Sequence, residues 1–149
     1  MNDLIQFHWA ENELPGVNSI SYADGTIVML NCYRTEAGLP YAFPLCETTV
    51  ESLVRFNDDI WTEVQIFVRT TDEKSGLNYV AGEGGMGNEG FIACTNTSNN
   101  LIWAVFFENS NPFERLEVRD GKLYAVSTYN EKYCMELTSP IEISIQLVK

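Results

Sequence analysis

The stretch GEGGMGNEG at residues 82–90 stands between two apolar segments, residues 77–80 and residues 91–94. Glycine at this density is needed only where the backbone takes positive φ angles or where another backbone approaches closely. A phosphate-binding loop would carry Lys and Ser or Thr after its last glycine and would lead into a helix. This stretch carries Glu83 and Glu89 instead and leads into a strand-like segment. We therefore expect either a plain hairpin connection or a mobile, acidic recognition loop on a rigid sheet.

Two Asp-Gly pairs predict β-hairpins before and after this loop. Asp24-Gly25 separates the segments 17–22 and 26–33, and Asp120-Gly121 separates two later segments of the same kind. Residues 101–107 are continuously apolar, as expected of a central strand covered on both faces. Further strands are predicted at residues 60–69, 113–118, 122–128, 133–137 and 141–147.

Three other segments are less regular. Thr48 and Glu51 match a capping box and predict one short helix at residues 48–57, with a strand as the alternative because Thr49, Val54 and Phe56 also suit a sheet. Residues 36–44 contain one glycine and two prolines and predict an irregular loop, whose two aromatic residues cover an edge of the core. Residues 4–9 predict a first strand or an arm packed on the sheet.

The predicted fold is mainly β, a single globular domain over residues 1–149. It is built from antiparallel hairpins and a C-terminal β-meander, with one short helix. The patterns leave open whether the strands form a sandwich, a partial barrel or a single layered sheet.

The chain is strongly acidic, with 21 acidic and nine basic residues and a net charge of −12. Such a field repels nucleic acid and anionic membranes, so neither is expected as a partner, whereas a basic protein would be attracted. No apolar run is long enough to span a bilayer, and no basic segment followed by an apolar one begins the sequence. A cytoplasmic location is therefore expected.

The residue types give no sign of catalysis. The motifs GxSxG and HExxH are missing, and His8, the single histidine, is expected to be structural. The four cysteines form no CxxC pair, so we expect free thiols, with Cys32 and Cys94 buried, and neither a metal site nor a cofactor. A dyad of His8 with a cysteine stays possible in principle, but the prediction is a protein without enzymatic activity.

A family resemblance gives the function a direction. The glycine-rich stretch, residues 101–107 and the Asn111-Pro112-Phe113 turn resemble immunity proteins of bacterial contact-dependent growth inhibition and related polymorphic toxin systems. The resemblance covers residues 80–128. It implies a cytoplasmic inhibitor that binds one cognate toxin domain, often a nuclease, and blocks its active site or substrate surface. Because that function is binding, the resemblance implies no catalytic residues.

A basic toxin domain would meet an acidic surface. The residues predicted to form it lie near the middle of the chain and in the glycine-rich stretch: Asp58, Asp59, Asp72, Glu73, Glu83 and Glu89. One alternative is a sugar- or peptide-binding β domain with exposed Trp9, Trp61 or Tyr41 as stacking platforms. Another is a structural subunit whose sheet edge mediates oligomers. The sequence leaves the oligomeric state open.

Overall fold

A computed structural model describes residues 1–148 of the chain, and strands dominate it. In chain order the elements are α1 Asp3–Ala10, β1 Glu13–Pro15, β2 Ser19–Tyr22, β3 Thr26–Arg34, β4 Pro40–Thr49, α2 Val50–Phe56, β5 Trp61–Glu63, β6 Gln65–Thr71, β7 Asn78–Glu83, β8 Gly90–Thr95, β9 Leu101–Phe107, β10 Phe113–Arg119, β11 Lys122–Ser127, β12 Glu131–Glu136 and β13 Ser144–Leu147. The mainly β prediction is confirmed, with two helices in this part of the chain rather than one.

The elements form three layers. A seven-stranded antiparallel sheet in the order β4-β3-β2-β9-β8-β7-β6 lies in the middle. The sheet β10-β11-β12-β13 packs on one face and encloses a first core around Ile92, Trp103 and Leu123. The two helices and the β1–β5 pair cover the other face around a second core that includes Ile5 and Phe91. The strands therefore form a sandwich with an added helical layer.

The central strand and both Asp-Gly hairpins are where the sequence places them. β9 lies between β2 and β8, with Trp103 in the first core and Phe106 in the second. Asp24-Gly25 connects β2 to β3, and Asp120-Gly121 connects β10 to β11. In the second turn both residues take positive φ angles, 52° and 77°, as a tight two-residue hairpin requires.

The prediction of a strand or arm at residues 4–9 is wrong, because the segment is helix α1. The Asn2 side chain caps this helix by accepting a hydrogen bond from the Ile5 amide at 3.0 Å. Ile5 and Trp9, four residues apart, are buried on one face of the helix. The first turn of the helix is thus fixed by its cap and its buried face.

Residues 36–44 do not form an irregular loop, because β4 begins at Pro40 and pairs with β3 as far as Arg34. The prolines are tolerated because β4 is an edge strand, where the amides that point away from β3 have no neighbouring strand to bond to. The two aromatic residues of the segment, Tyr41 and Phe43, are exposed and do not cover the core.

The predicted helix at residues 48–57 is confirmed with a shifted start. Thr49, not Thr48, is the N-cap and accepts a hydrogen bond from the Ser52 amide at 3.2 Å. Thr48 belongs to β4 and pairs with Ile27. The predicted capping box is therefore not formed, and the Glu51 carboxylate accepts from the Asn2 side chain instead.

The predicted strand at residues 60–69 is two strands, separated at Val64. The Val64 amide donates to the Asn12 carbonyl, outside the main sheet, at 2.8 Å. A bulge between Ile66 and Val68 then interrupts the predicted alternation, so Ile66 packs on the second core and Val68 on the first. Near the C-terminus, only residues 144–147 of the strand predicted at 141–147 are paired.

Candidate functional site

The longest hairpin of the protein projects beyond its sheet. β2 pairs with β3 only at Ile27–Met29, yet β3 and β4 continue to pair with each other up to Arg34 and Pro40. Strand residues alternate between the two faces of a sheet. The part of β3 and β4 beyond β2 therefore has one face on the side of the second core and one face on the side of the first core. We call residues 30–43 the projecting hairpin.

One face of the projecting hairpin carries three neighbouring aromatic rings, which we call the aromatic cluster: Tyr33, Tyr41 and Phe43. Tyr33 lies opposite Tyr41, with ring centroids 5.5 Å apart, and the Tyr41 and Phe43 rings are 6.1 Å apart. Their exposed fractions are 46%, 40% and 48%. Aromatic side chains held together in solvent are typical of protein-binding surfaces, because their burial by a partner removes much apolar area from water.

The opposite face of the hairpin is anchored by an ion pair between Arg34, which is partly exposed, and a buried carboxylate. The Arg34 guanidinium donates two hydrogen bonds to the carboxylate of Glu131 on β12, and Nη2 to Oε1 measures 2.9 Å. It also donates to the Asn109 carbonyl at 3.1 Å and lies 5.1 Å from the Tyr129 ring centroid. The hydrogen bond to Glu131 raises the pKa of Arg34. These contacts fix the hairpin, and with it the aromatic cluster, to the second sheet.

A cavity of about 280 Å³ lies behind the anchored face, between the two sheets. Asn88 of the glycine-rich stretch borders it and donates a hydrogen bond to the Asn109 side chain at 2.9 Å. Cys32 also lines the cavity, and burial, with a smaller contribution from Glu108, raises the pKa of its thiol from 9.0 to about 11. The thiol is thus protonated near neutral pH, which argues against a nucleophilic role.

The glycine-rich stretch is a hairpin connection between β7 and β8, as predicted. None of its five glycines has a positive φ angle, so close approach is what requires four of them, Gly82, Gly84, Gly85 and Gly90. A Cβ on Gly82 would lie 1.9 Å from the Gln65 carbonyl oxygen, and one on Gly90 would lie 2.4 Å from the Asn111 carbonyl oxygen. The Glu89 carboxylate closes the loop by accepting from the Met86 amide at 2.8 Å.

The six acidic residues predicted as a partner surface do not lie together. Glu83 ends β7 and Glu89 lies in the connection that follows it, at the same end of the sheet from which the hairpin projects. Asp58 and Asp59 are exposed and lead into β5, where Thr62 approaches Gly85 of that connection. Asp72 and Glu73 lie at the opposite end of the sheet, in the turn between β6 and β7.

The turn at that opposite end holds Asp72 in place. Ser75 donates a hydrogen bond from its hydroxyl group to the Asp72 carboxylate at 2.7 Å, and this contact lowers the pKa of Asp72. Asp72 therefore has a structural role in its turn.

The predicted stacking platforms have unequal access to solvent. Trp9 is buried, and its indole donates to the Asn99 carbonyl at 3.1 Å, so its predicted exposure is wrong. Trp61 is half-buried, and His8 stacks on its ring at 3.6 Å between centroids. His8 also contacts Glu13 at 2.7 Å, which is the structural role expected of it. Tyr41 alone of the three platforms is exposed.

The thiols and the acids form no further site in the described residues. All four cysteines are free; Cys94 is buried as predicted, Cys32 is half-buried and Cys46 is exposed. Within residues 1–148 no group of three or more His, Cys, Asp or Glu residues is placed to hold a metal ion. Over the same range, no helix has the length and apolar character needed to cross a membrane.

Sequence reasoning missed the aromatic cluster. The spacing of Tyr41 and Phe43 is the period of a strand, and this was the available signal. Gly38 and the two prolines outweighed it and indicated a loop. Comparison of the chain with protein-family models, with curated protein sequences and with solved structures found no match. A functional proposal for this chain therefore rests on its own residues.

Proposed function

We propose that this protein is an immunity-type inhibitor that binds a basic toxin domain, such as a nuclease, and covers its active site or substrate surface. The observation that carries the proposal is the aromatic cluster, held in solvent on an anchored hairpin that projects from an acidic protein. A rigid hairpin loses little conformational entropy on binding, which favours affinity.

The acidic charge is largely uncompensated within the protein. Among residues 1–148 the ion pairs engage the carboxylates of Glu13, Glu131 and Glu136 and no others. The remaining acids contribute to a field that attracts a basic partner and accelerates association. Glu36 in the turn of the projecting hairpin is exposed and extends this field to the aromatic cluster.

The two features have different roles in the proposed complex. Exposed carboxylates raise the rate of encounter, but each contributes only about 0–1 kcal/mol to affinity. Aromatic side chains that become buried against the partner account for most of the affinity. Glu83 and Glu89 are half-buried at the end of the sheet from which the hairpin projects, and their charge would steer the partner toward the aromatic cluster.

The cavity behind the hairpin favours a second candidate, the binding of a small neutral polar ligand. Asn18, Asn109 and Ser110 border it and offer hydrogen-bonding groups, but its volume of about 280 Å³ is close to the lower limit for ligand sites. Binding of such a ligand would be insensitive to salt, whereas binding of a basic toxin domain weakens as salt increases. An oligomer formed through the β4 edge is less favoured, because prolines and a bulge blunt that edge.

Charge reversal at the two ends of the sheet tests the steering role. We expect Glu83→Lys to slow association with a basic toxin domain encoded beside the gene and to reduce its salt dependence, with little change in the dissociation rate. Glu73→Lys is the matched control, because Glu73 lies at the opposite end and is exposed. Association rates measured at several salt concentrations provide the comparison.

A variant in which Lys replaces all six predicted acids completes this test. Its association with the toxin domain and its protection of cells from the toxin are both measured. The proposed steering is wrong if the six-fold variant associates and protects as the parent does. If the parent itself neither binds the basic domain nor protects cells, the immunity function should be abandoned.

A further inference from the structure

Four of the nine basic residues border one groove, although the protein is acidic overall. Arg115 and Arg119 of β10, Lys132 of β12 and Arg69 of β6 line this space of about 600 Å³, which we call the basic groove. Glu117 is the one acidic residue among those of residues 1–148 that line it. The groove is therefore cationic, in contrast to the molecule as a whole.

The register of the second sheet places three of these cations, Arg115, Arg119 and Lys132, on its outer face, whereas Arg69 lies on β6 of the seven-stranded sheet. Leu116 and Val118 of β10 pack against the first core, so the alternating positions Arg115 and Arg119 point away from it. Val126 pairs with both Arg115 and Lys132, which places the two basic residues in one row across three strands. These three positive groups thus share one surface, and Arg69 borders the groove from β6.

Tyr124 holds two of the cations close to each other. The Arg119 guanidinium carbon lies 4.7 Å from the Tyr124 ring centroid, and the Lys132 ammonium nitrogen lies 5.5 Å from it. Neither cation forms an ion pair with an acid among residues 1–148, whereas the nearby Lys122 pairs with Glu136 at 2.7 Å. The groove therefore presents cations whose charge no carboxylate contact neutralises, and an anion between them would relieve their repulsion.

We propose that the basic groove binds a compact multivalent anion, a diphosphate or triphosphate group. Guanidinium groups match phosphate oxygens with paired hydrogen bonds, and Arg115 and Arg119 lie on the same face of β10, with Glu117 between them. A compact ligand is required because the exposed carboxylates of Glu114, Asp120 and Glu136 flank the outer face of the sheet. A long polyanion such as nucleic acid would extend over them.

The basic groove and the aromatic cluster lie on different faces of the protein. The groove opens on the outer face of the second sheet, whereas the aromatic cluster lies on the face of the projecting hairpin that is on the side of the second core. The two surfaces share no residue. Anion binding is thus proposed separately from toxin binding, and either can fail without the other.

Calorimetric titration with tripolyphosphate at low salt tests the proposal, and one-to-one binding is expected. A nucleoside triphosphate and vesicles carrying a bisphosphorylated lipid headgroup serve as parallel probes of the phosphate source. If the nucleoside triphosphate or the vesicles bind more tightly than tripolyphosphate, that result identifies the molecule that carries the phosphate group. It supports the basic groove if the double variant described next loses this binding. Tighter binding of a 20-nucleotide single-stranded DNA than of tripolyphosphate would overturn the proposal in favour of an extended polyanion.

The double variant Arg115→Gln/Arg119→Gln is expected to weaken tripolyphosphate binding at least about tenfold, because it removes two charge-assisted contacts. Both residues are exposed, so the unfolding midpoint should be retained. Arg55→Gln on α2 is the matched control and should bind within about twofold of the parent, as a remote exposed charge does. No saturable binding by the parent, or equal losses in the double variant and the control, would contradict the proposal.

Discussion

Arg34→Met is expected to lower the free energy of unfolding by about 2–4 kcal/mol, less than for a fully buried ion pair because the Arg34 side chain is 34% exposed. The substitution leaves the carboxylate of Glu131, which is 3% exposed, without its cation. The double variant Arg34→Met/Glu131→Leu removes both charges and should recover most of this loss, because an apolar pair of similar volume is often as stable as the ion pair it replaces. Urea unfolding of the three proteins measures the effect.

The exposed ion pair of the second sheet provides the control for this experiment. Lys122 and Glu136 are joined at 2.7 Å in solvent, so Lys122→Met should cost no more than about 1 kcal/mol. A loss from Arg34→Met as small as that from Lys122→Met would mean that the projecting hairpin is not anchored through Arg34. A double variant no more stable than Arg34→Met would show that the loss is one of packing rather than of charge.

Gly82→Ala is the second substitution with a large expected effect. Its Cβ would lie 1.9 Å from the Gln65 carbonyl oxygen and 2.9 Å from the Phe67 amide nitrogen. These are backbone atoms of the paired strand β6, so β6 must shift or detach, and we expect a loss of at least about 3 kcal/mol. The free energy of unfolding and the hydrogen exchange of β6 amides would report it.

Gly87→Ala in the same connection is the matched control. A Cβ at Gly87 meets no atom within 4 Å, and its φ angle is not positive. The free energy of unfolding of Gly87→Ala should therefore equal that of the parent or exceed it by a few tenths of a kcal/mol. Equal effects at the two positions would show that glycine is needed in this connection for flexibility rather than for close approach.

The sequence predicts the elements whose signals are local. β9 is continuously apolar because both its faces are buried, and the Asp-Gly turns mark their hairpins directly. Helix α1 is less visible, since its short apolar segment also fits a strand and its cap at Asn2 lies outside the apolar pattern. The break at Val64 follows from a hydrogen bond to Asn12, which no pattern within residues 60–69 reveals.

The candidate site was harder to predict than the fold. The acids are visible as residue types, but their division between two ends of the sheet depends on how the strands order themselves. The aromatic cluster depends on the pairing of Tyr33 with Tyr41 across a turn that contains Gly38, and such a pairing is set by the register of the two strands. The basic groove likewise unites residues 69, 115, 119 and 132 from strands that are distant in the chain.

Alanine substitution in the aromatic cluster tests the central claim most directly. Affinity for the basic toxin domain should fall at least about 30-fold in Tyr41→Ala and in Phe43→Ala, through faster dissociation, as expected of residues that carry about 2 kcal/mol or more of the binding free energy. Phe67→Ala is the control, because Phe67 is 46% exposed on β6 at the opposite edge of the sheet, and its affinity should stay within about threefold of the parent. If both cluster variants bind as tightly as the parent, or if Phe67→Ala loses as much as they do, the projecting hairpin is not the partner surface.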